Sequence, residues 1–555
     1  MTPFRPRTEL TTHDVTNQAA PLEDYNLYDA DPALKEALHR HGGGDAEDAV
    51  REMGAELGSA ESYEHGRLAN DNPPKLKSFD RYGQRIDEVE FHPSYHHMMA
   101  LGMRHGIQSL PWQAEKGGHV VHTAMHYLLY QIECGVCCPL TMTYAAMPAL
   151  MQQKDAVGPW LKGIVSRDYD GRSLPPEQKT GLTIGMAMTE KQGGSDVRAN
   201  TTKAKPIGAG GPGGEYELWG HKWFCSAPMC DAFLNLAYTD EGLSCFLMPR
   251  WRPDGTRNAF QLMRLKDKLG NHSNASSEIE YHGAYAIMIG GEGRGVRTII
   301  DMVMHTRLDC TTGPAAIMRQ AVMQAANHAD GRTAFQKKLN QQPLMRNVLA
   351  DLSLEQEAAT AMSFAVAQAY DDGMTDPEAA AFARIAVSIS KYWVNKRVTP
   401  LIVEAMECHG GAGYVAESMM PRLYKEAPLN GIWEGSGNVI CLDVLRAMQR
   451  EPEALQLFLK ALTDAKGRDT RLDRAIDAAV GEFDRLEGIE GRARRIVERL
   501  AVTWQAVLLA SFAPTAVAEA FIASRLSGDW GHAFGTLPDG LDLQPMIDRA
   551  TPISV

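Results

Sequence analysis

The most constraining feature of this 555-residue sequence is a series of long helical patterns between residues 296 and 450. Apolar residues recur at i, i+3 and i+4 spacing through "PLMRNVLADLSLEQEAATAMSFAVAQAYDD" and "PEAAAFARIAVSISKYWVNKRVTPLIVEAMECHG". Helices of this length bury their apolar stripes most readily by packing side by side. We therefore predict a helical bundle over residues 294–450.

The segment before this bundle has the pattern of β-structure. "YELWGHKWFCS", "AFLNLAYT", "LSCFLMP" and "SSEIEYHGAYAIMIG" are short, rich in aromatic and β-branched residues, and separated by glycine, proline and acidic turns. They predict a small, mostly antiparallel β domain over residues 181–293. Residues 1–180 and 451–555 have mostly helical patterns. The predicted class is therefore α+β, with an N-terminal helical domain, a central β domain, a helical bundle and a helical extension.

Composition limits the environment and the partners of the chain. Hydrophobic residues make up 44% and charged residues 23%, which is typical of a folded enzyme. The net charge of -13 argues against coating nucleic acid with the whole surface, although local basic patches stay open. "MTPFRPRTELTTHDV" lacks the apolar core of a signal peptide, and "AVTWQAVLLASFAPTAV" reads as a buried helix ending near Pro514. We expect a cytoplasmic protein without a membrane span.

The nine cysteines follow no paired framework. Cys134, Cys137 and Cys138 form a cluster, but no second pair lies at the distance that zinc sites require. Buried free thiols in a reducing compartment are favoured over a metal or redox role.

Two further patterns have simple explanations. His119, His122 and His126 share one helix face, but no H-E-x-x-H motif is present, so packed histidines are favoured over a zinc site. The stretch "GGEGRGV" has its third glycine one position early for a dinucleotide loop and lies in an antiparallel region, so it predicts a turn. We predict no metal site.

One acidic residue has surroundings that suit catalysis. In "LNGIWEGSGNVICLDVLR", Glu434 lies between Trp433 and a glycine. A carboxylate against an indole loses hydration, which raises its pKa and makes it a better base near neutral pH. Ser436 or Asn438 can cap the helix that follows. From these residues alone, an acidic residue opening a surface helix is an equal alternative.

Two segments of the β region offer groups suited to a flat ligand. In "GMAMTEKQGGSDVRANTTKA", a glycine pair frees backbone N–H groups beside the hydroxyls of Thr189 and Ser195. In "HKWFCSAP", aromatic faces can stack on a ring while the backbone of Phe224, Cys225 and Ser226 hydrogen-bonds its edge. Taken singly, an ordinary loop and a core strand are the better explanations.

In combination, these segments resemble the acyl-CoA dehydrogenase flavoprotein family. "MTEKQGGSD" resembles that family's first flavin-contacting loop, "HKWFCS" its second, and "IWEGSGN" the I-Y-E-G-T segment with the catalytic glutamate. "GRTAFQKKLNQQPLM" resembles its R-x-x-F-G segment, whose arginine, here Arg332, reaches the flavin pyrophosphate across a subunit interface. "HGGAGY" resembles its glycine pair at the adenine end, here Gly410 and Gly411. The motifs follow the family order over residues 180–450.

The resemblance implies an FAD-dependent oxidoreductase that acts on the CH–CH bond of an acyl-CoA thioester, with FAD bound non-covalently. It implies that Glu434 removes the α-proton while a hydride passes from the β-carbon to the flavin. Trp433 stands where tyrosine is usual and Gln336 where glycine is usual, and the larger ring suggests a tighter acyl pocket. The implied cofactor contacts are Met188, Thr189, Gly194, Ser195, Phe224, Cys225, Ser226, Arg332, Gly410, Gly411, Ile432, Trp433, Ser436 and Asn438.

More narrowly, "MTEKQGGSD", "RLKDKLGNHSNAS", "IWEGSGN" and the helical extension resemble the alkylation-response branch of that family. This implies a homotetramer that binds double-stranded DNA without sequence readout, through the C-terminal helical part. The implied DNA contacts are Arg446, Arg450 and Arg525. The alternative is a conventional dehydrogenase of a short or branched acyl-CoA that does not bind DNA.

The residues of the extension do not by themselves choose between these alternatives. Residues 451–555 hold twelve Lys or Arg against sixteen Asp or Glu, so the region is acidic on balance. Its arginines are concentrated in "DRLEGIEGRARRIVERL". A solvated helix face and a DNA-facing patch both fit this pattern.

Overall fold

The computed structural model of the protein describes residues 12–551. Its N-terminal region is helical apart from one antiparallel hairpin, formed by β1 (Lys75–Phe79) and β2 (Arg85–Glu90), that the helical patterns did not predict. Asp31 accepts a hydrogen bond from the Leu34 backbone N–H at 3.0 Å and so begins the first helix, as expected for a capping residue. The elements are α1 (Pro32–Arg40), α2 (Glu47–Leu57), α3 (Ala60–Asp71), β1 (Lys75–Phe79), β2 (Arg85–Glu90), α4 (Pro93–Arg104), α5 (Leu110–Gln113), α6 (Gly118–Ile132), α7 (Cys137–Met151) and α8 (Lys154–Ile164).

The central region is a seven-stranded sheet. Its strands are β3 (Ile184–Ala187), β4 (Lys203–Ile207), β5 (Glu215–Ser226), β6 (Ala232–Thr239), β7 (Gly242–Pro249), β8 (Phe260–Leu265) and β9 (Ser276–Ile289). Most neighbours are antiparallel, but β6 pairs in parallel with β3 and β4. The pairings β6–β4–β5–β9–β7–β6 close on themselves, so the sheet curls into a barrel-like shape with β8 added beside β9.

Three long helices form the bundle that the periodicity predicts. They belong to the series α9 (Gly295–Gly331), β10 (Thr333–Ala334), β11 (Lys337–Lys338), α10 (Pro343–Gly373), α11 (Pro377–Cys408), α12 (Gly411–Tyr414), α13 (Met420–Glu426) and α14 (Gly437–Arg450). The long helices α9, α10 and α11 pack against one another, and α6 and α7 pack against α9. Because α9 touches both the N-terminal helices and the sheet, it joins the three regions.

The extension is also helical and packs on the bundle. It contains α15 (Pro452–Thr463), α16 (Thr470–Val480), α17 (Ile489–Phe512), α18 (Thr515–Arg525) and α19 (Gln544–Ala550). Helix α17 ends just before Pro514 and is buried through most of its C-terminal half, as the sequence predicts. Among residues 12–551, no helix is long and apolar enough to cross a membrane. The prediction that the N-terminal stretch is not a signal peptide concerns mainly residues 1–11, which lie outside the described residues.

Two apolar cores meet along α7. One fills the helical regions and includes Leu140, and the other fills the sheet and includes Met142 and Tyr144. All nine cysteines are free thiols, and only Cys138 is partly exposed, which agrees with the expected buried thiols. Cys138 lies in the first turn of α7, close to Ser226 at the end of β5, so the boundary between the two cores is also where the candidate site lies.

Candidate functional site

Glu434 lies in the short connection between α13 and α14, with its backbone in the left-handed region at φ 57°. Its carboxylate Oε2 accepts a hydrogen bond from the Thr306 hydroxyl at 2.9 Å. Its backbone carbonyl accepts another from Arg307 Nε at 3.2 Å. A non-glycine residue in this region costs free energy that neighbouring contacts must offset. Both donors belong to α9, so this helix fixes the direction in which the carboxylate points.

The surroundings of Glu434 favour a basic carboxylate. Burial raises its pKa above the ordinary value, while the Thr306 hydroxyl and the cations of Arg307 and Lys391 act in the opposite direction. A carboxyl whose pKa is raised is a stronger base once it is ionised. The adjacent Trp433 indole donates its N–H to Asn430 Oδ1 at 2.6 Å, which fixes the orientation of the ring.

Arg307 is held in place by an ion pair that no sequence motif indicated. Its Nη1 lies 2.7 Å from Asp443 Oδ2, and Arg384 Nη2 lies 3.0 Å from Asp443 Oδ1. Burial alone would raise the pKa of Asp443, but Arg307 and Arg384 lower it to about 2. Asp443 therefore stays ionised and anchors the arginine that binds the Glu434 carbonyl. These residues come from three helices, so only the tertiary structure brings them together.

The first predicted flavin loop is tied directly to the second predicted segment. The Trp223 backbone N–H donates to the Thr189 carbonyl at 2.8 Å, and Asn200 Nδ2 donates to the Met188 carbonyl at 3.0 Å. A Cβ at Gly194 would lie 2.3 Å from Thr189 Oγ1, so the loop requires glycine there. Ser195 is exposed at the turn. Thr189, Gly194 and Ser195 thus share one loop beside β5.

The predicted second flavin segment, "HKWFCS", forms the end of β5 and lies beside the Thr189 loop. The Phe224 ring is 49% exposed, Cys225 points into the core, and Ser226 Oγ lies 3.3 Å from Ser276 Oγ on β9. The thiol of Cys138 is close enough to both this strand end and Glu434 for each to affect its pKa. Burial is the main reason that the pKa of that thiol is raised to about 11; the Ser226 hydroxyl opposes this rise and the Glu434 charge contributes to it. Ser226 and Glu434, 208 positions apart in the sequence, therefore border one region.

Asn274 is a further residue of this region, and the single-residue patterns gave no sign of it. It is 1% exposed, and within residues 12–551 neither its amide oxygen nor its amide nitrogen has a hydrogen-bond partner. Buried amides are normally satisfied, so a partner from a ligand or water is expected here. Asn274 also lies beside Cys138. The half-exposed Phe224 ring and the unsatisfied amide of Asn274 are the kinds of group that suit the flat ring and the polar edge of FAD.

The remaining predicted cofactor residues divide into two groups. Ile432 and Trp433 precede Glu434, and Ile432 is 65% exposed. Ser436 occupies the N-cap position of α14, but its side chain makes no capping hydrogen bond, and Asn438 lies inside the first turn. The prediction that one of these side chains caps the helix is therefore wrong. The first N–H groups of α14 have no side-chain cap, which suits an anionic ligand group.

Arg332, Gly410 and Gly411 form the other group, at the far end of the bundle. Arg332 follows Thr306 by 26 residues, or about 39 Å of helix. Gly410 lies at the same end as Arg332, since the His409 and His328 rings are 4.8 Å apart. Arg332 Nη1 donates to the Asn17 carbonyl of its own chain at 2.8 Å. This group is too far from Glu434 to surround the same flavin ring.

The backbone conformation at Gln336 explains why glycine is usual at this position of the R-x-x-F-G segment. Phe335 and Gln336 form the tip of the β10–β11 hairpin, with φ of 50° and 66°. Two successive left-handed residues make the tight turn of such a hairpin, and glycine adopts this conformation with least strain. The turn persists with Gln336, and Phe335 is 94% exposed at its tip.

The three arginines expected to contact DNA have different surroundings. Arg446 is exposed, with Asp443 3.8 Å away, and Arg450 is exposed at the end of α14. Arg525 is 6% exposed, and its Nη2 lies 2.6 Å from Asp351 and 3.1 Å from Glu355. The assignment of Arg525 as a DNA contact is therefore wrong in this fold. Its charge is used inside the protein to neutralise two buried carboxylates.

The histidines of α6 are packed in the core. His122 lies between the Ile107 carbonyl at 2.7 Å and Asp309 at 2.8 Å. His119 hydrogen-bonds the Tyr144 hydroxyl at 2.8 Å. Residues 12–551 contain no group of His, Cys, Asp or Glu side chains arranged to hold a metal ion. The pattern on this helix face therefore reflects buried hydrogen bonds.

Three family models match the chain in the order of its regions. The N-terminal domain of the adaptive response protein AidB matches residues 17–171, and the middle domain of acyl-CoA dehydrogenase matches residues 185–284. The C-terminal domain of acyl-CoA dehydrogenase matches residues 293–449. These matches cover the regions that contain Cys138, Ser226 and Glu434.

Individual proteins agree with these models. AidB of Escherichia coli (strain K12) is 47% identical over 468 residues, which is 84% of this chain and 86% of that protein. Caenorhabditis elegans ACDH-11, solved in complex with C11-CoA, has a TM-score of 0.82 at 26% identity and covers 93% of both chains. A Bacillus anthracis acyl-CoA dehydrogenase complexed with FAD shares the fold, with a TM-score of 0.64 at 17% identity, over 78% of this chain and 81% of that chain. The chain thus belongs to the acyl-CoA dehydrogenase family of FAD-dependent oxidoreductases and carries an AidB-type N-terminal domain.

Proposed function

We propose that this protein dehydrogenates an acyl-CoA thioester and that Glu434 is its catalytic base. The observation that carries the proposal is the carboxylate of Glu434. It is hydrogen-bonded to Thr306, its pKa is raised by burial, and it borders the region of Cys138 and Ser226. The α-proton of a thioester is weakly acidic, so its removal requires an oriented carboxylate that is shielded from water.

In the proposed reaction, Glu434 takes the α-proton and becomes a carboxylic acid. The β-carbon loses a hydride, and a C=C bond forms between the two carbons. FAD, when bound, supplies the acceptor of that hydride. Thr306 stabilises the ionised carboxylate before proton transfer, since its hydroxyl donates to Oε2. Phe224 offers a stacking face to the cofactor, and Ser226 and Asn274 offer polar groups.

Trp433 supports a restricted acyl pocket. Its ring is larger than the tyrosine that is usual in the family, and the hydrogen bond to Asn430 limits its rotation. Ordinary fatty acyl-CoA is then a poor substrate. The competing candidate is a conventional dehydrogenase of a short or branched acyl-CoA without DNA binding. The C11-CoA in the ACDH-11 complex argues for including medium and long chains in any screen.

Anaerobic mixing with a panel of short, long and branched acyl-CoA thioesters tests this proposal through bleaching of the flavin absorbance. At least one thioester is expected to reduce the flavin. Glu434→Gln is expected to retain FAD while the rate of reduction falls by about 10²–10⁴-fold, the usual contribution of a general base. Asp301→Asn, an acidic residue on α9, is the matched control. Flavin reduction at the wild-type rate in Glu434→Gln would show that Glu434 is not the catalytic base.

We also propose that the protein binds double-stranded DNA without sequence readout and acts in the alkylation response. The AidB-type N-terminal domain and the identity to E. coli AidB support this role. Exposed guanidinium groups at Arg446 and Arg450 support a basic surface, and Arg495 is exposed too, with Glu482 3.6 Å from its Nε. Arg492 and Arg499 suit DNA less well, because both are paired with Glu482 at 2.6 Å. Measuring duplex binding at several salt concentrations tests the proposal. If the protein contacts phosphates, the logarithm of the binding constant falls linearly with the logarithm of the salt concentration.

We propose further that the protein is a cytoplasmic homotetramer. Arg332 lies about 39 Å along α9 from Thr306, so any flavin that it contacts belongs to another copy. The exposed side chains of Phe335 and Leu344 lie near Arg332 and offer an apolar surface for that copy. Sedimentation of the holoprotein tests this, and Phe335→Asp is expected to give smaller species. A wild-type protein that sediments as a monomer would overturn the proposal.

A further inference from the structure

Lys391 is a buried cation whose contacts all lie in one loop. It is on α11, it is 1% exposed, and no carboxylate among residues 12–551 pairs with it. Its ammonium donates to the backbone carbonyls of Asn430 at 3.0 Å, Trp433 at 3.0 Å and Gly435 at 2.8 Å. An ammonium has three N–H donors, so all of them are used. Burying a charge is costly, so a contact of this kind points to a specific task.

Two of these carbonyls flank Glu434. Lys391 binds the carbonyls of Trp433 and Gly435, and Arg307 binds the carbonyl of Glu434 between them. Three successive carbonyls thus point at two cations. This arrangement needs a sharp turn of the backbone, and Glu434 and Gly435 accordingly have positive φ angles of 57° and 104°. The hydrogen bonds from Lys391 offset the cost of holding Glu434 in the left-handed region.

The third carbonyl connects Lys391 to the Trp433 ring. Asn430 gives its carbonyl to Lys391, accepts the Trp433 indole N–H at 2.6 Å, and donates its amide to the Tyr130 hydroxyl at 2.9 Å. Asn430 is buried, so its position decides where the indole lies. Lys391 therefore holds both the backbone around the base and the residue that orients the neighbouring ring.

We propose that Lys391 is the positioning residue of Glu434: it holds the loop in the conformation that aims the carboxylate, and its charge favours the ionised carboxylate. The proposal rests on the role of Glu434 as the base. Lys391 acts through backbone carbonyls and through its field, without touching the acyl group. Its removal is therefore expected to change the protonation of Glu434 and the order of the loop while FAD stays bound.

The charged and titratable groups facing Lys391 come from three elements. Helix α9 contributes Arg307 and Cys310, α11 contributes Lys396, and the loop contributes Glu434. Burial lowers the pKa of Lys391 to about 8, with Glu434 opposing this effect and Arg307 and Lys396 adding to it. Above that pH the neutral amine has only two N–H donors for three carbonyls, so the loop loses one contact. Burial raises the pKa of the Cys310 thiol, which keeps it neutral there.

The test uses holoenzyme with Lys391→Met, which keeps the length of the side chain and removes both charge and donors. Infrared difference titration reports the protonation of Glu434 through the carboxyl band that is missing in Glu434→Gln. Hydrogen exchange reports the order of residues 430–436. The midpoint of Glu434 is expected to rise by about one pH unit, because a nearby cation is lost. Exchange at residues 430–436 is expected to rise at least about ten-fold as local opening becomes easier.

Two further variants separate charge from geometry. Lys391→Arg keeps the charge but cannot direct three compact donors at the same carbonyls, so exchange is expected to rise while the midpoint of Glu434 stays near wild type. This variant also tests the proposal if Lys391→Met fails to fold. Lys35→Met is the control: Lys35 donates to a single backbone carbonyl, that of Asp29, at 2.9 Å in the N-terminal region. It is expected to leave both readouts unchanged.

Neither readout requires turnover, so the two proposals fail separately. If no acyl-CoA reduces the wild-type flavin, the proposed function is wrong, and titration and exchange still test Lys391. If Lys391→Met leaves both the Glu434 midpoint and the exchange of residues 430–436 unchanged, the positioning role is wrong. Where an acyl-CoA does reduce the flavin, Lys391→Met is expected to slow reduction by about ten- to a hundred-fold through misplacement of the base.

Discussion

Glu190 and Lys222 form an ion pair in which neither side chain is exposed, with Oε1 and Nζ 2.9 Å apart. Glu190 belongs to the first predicted flavin loop and Lys222 to β5. Glu190 also accepts the backbone N–H of Thr201 at 2.7 Å, and Lys222 donates to the Leu236 carbonyl at 2.8 Å. Both segments assigned to FAD are therefore fastened to one buried pair, which makes its integrity a condition for the site.

Glu190→Gln is expected to lower the free energy of unfolding by about 3–5 kcal/mol, because Lys222 is left buried without a counter-charge. Chemical denaturation measures this change, and the loss of bound flavin is expected to precede global unfolding. Glu64→Gln is the control, since Glu64 is exposed and pairs with Arg67 on the surface. A Glu190→Gln protein as stable as the control would contradict the importance of the pair.

The same pair predicts a pH dependence of stability. Burial alone would raise the pKa of Glu190, but Lys222 and the hydrogen bonds from Thr202 and Thr201 lower it to about 2. A depressed pKa stabilises the fold above the unfolded value of 4.5, and this contribution disappears as pH falls from 4.5 towards about 2. Wild type should therefore lose stability more steeply than Glu190→Gln in that window. Equal slopes in denaturation series across these pH values would contradict the assignment.

Thr306→Val is expected to shift the pH profile of flavin reduction. The Thr306 hydroxyl favours the ionised form of Glu434, so its loss raises a pKa that burial has already raised. The acid side of the profile should move to higher pH by about one to two units, as expected for one lost hydrogen bond of about 1.5–3 kcal/mol to a charged group. Thr312→Val is the control, because Thr312 on α9 donates only to the Leu308 carbonyl. Identical profiles would exclude a role for the Thr306 bond.

Arg446→Gln combined with Arg450→Gln is expected to weaken duplex binding uniformly across sequences. Each lost phosphate contact should reduce the slope of log affinity against log salt by about 0.9, so the pair should reduce it by about 2. Both side chains are exposed, so thermal stability should stay at the wild-type value. Fluorescence anisotropy at several salt concentrations measures the slope. An unchanged slope would show that neither Arg446 nor Arg450 contacts DNA phosphates.

Arg525→Met is expected to act on stability and not on the salt slope. Its guanidinium neutralises Asp351 and Glu355, and both carboxylates are buried. Glu355 keeps its other partner, Arg397, at 3.1 Å, but Asp351 is left without a counter-charge. This loss should lower the free energy of unfolding by about 3–5 kcal/mol. Arg495→Gln is the control, because Arg495 is 70% exposed. An Arg525→Met protein that is as stable as wild type and binds DNA less well would show that Arg525 contacts DNA.

Several elements were predictable because they depend on local periodicity. The four strands expected from aromatic and β-branched patterns occur as β5, β6, β7 and β9, with ends within one residue of the pattern. The hairpin β1–β2 was missed. It is short, it interrupts a helical region, and it packs beside β8, which is more than 150 residues away in the sequence. A tertiary contact of this kind leaves little trace in a local pattern.

The candidate site divides in the same way. The motifs around Thr189, Ser226 and Glu434 were found because chemistry restricts their residue types and their order. Thr306 and Lys391 were not found, because each sits in an ordinary helical pattern. Asn274 lies in "RLKDKLGNHSNAS", a segment that carried a resemblance but no predicted site residue. Their roles come from distances in space: Lys391 is 39 to 44 positions from the carbonyls that it binds.

The sequence by itself determined the order of helical and β regions, the family and the acidic residue proposed as the base. These depend on the spacing of apolar residues and on short motifs, which persist along the chain whatever its packing. Only the tertiary structure decided that Arg525 is buried, that Arg332 lies about 39 Å of helix from Thr306, and that cations from α9 and α11 hold the Glu434 loop. Burial and charge pairing are properties of packed surfaces, and residues far apart in the sequence create them together.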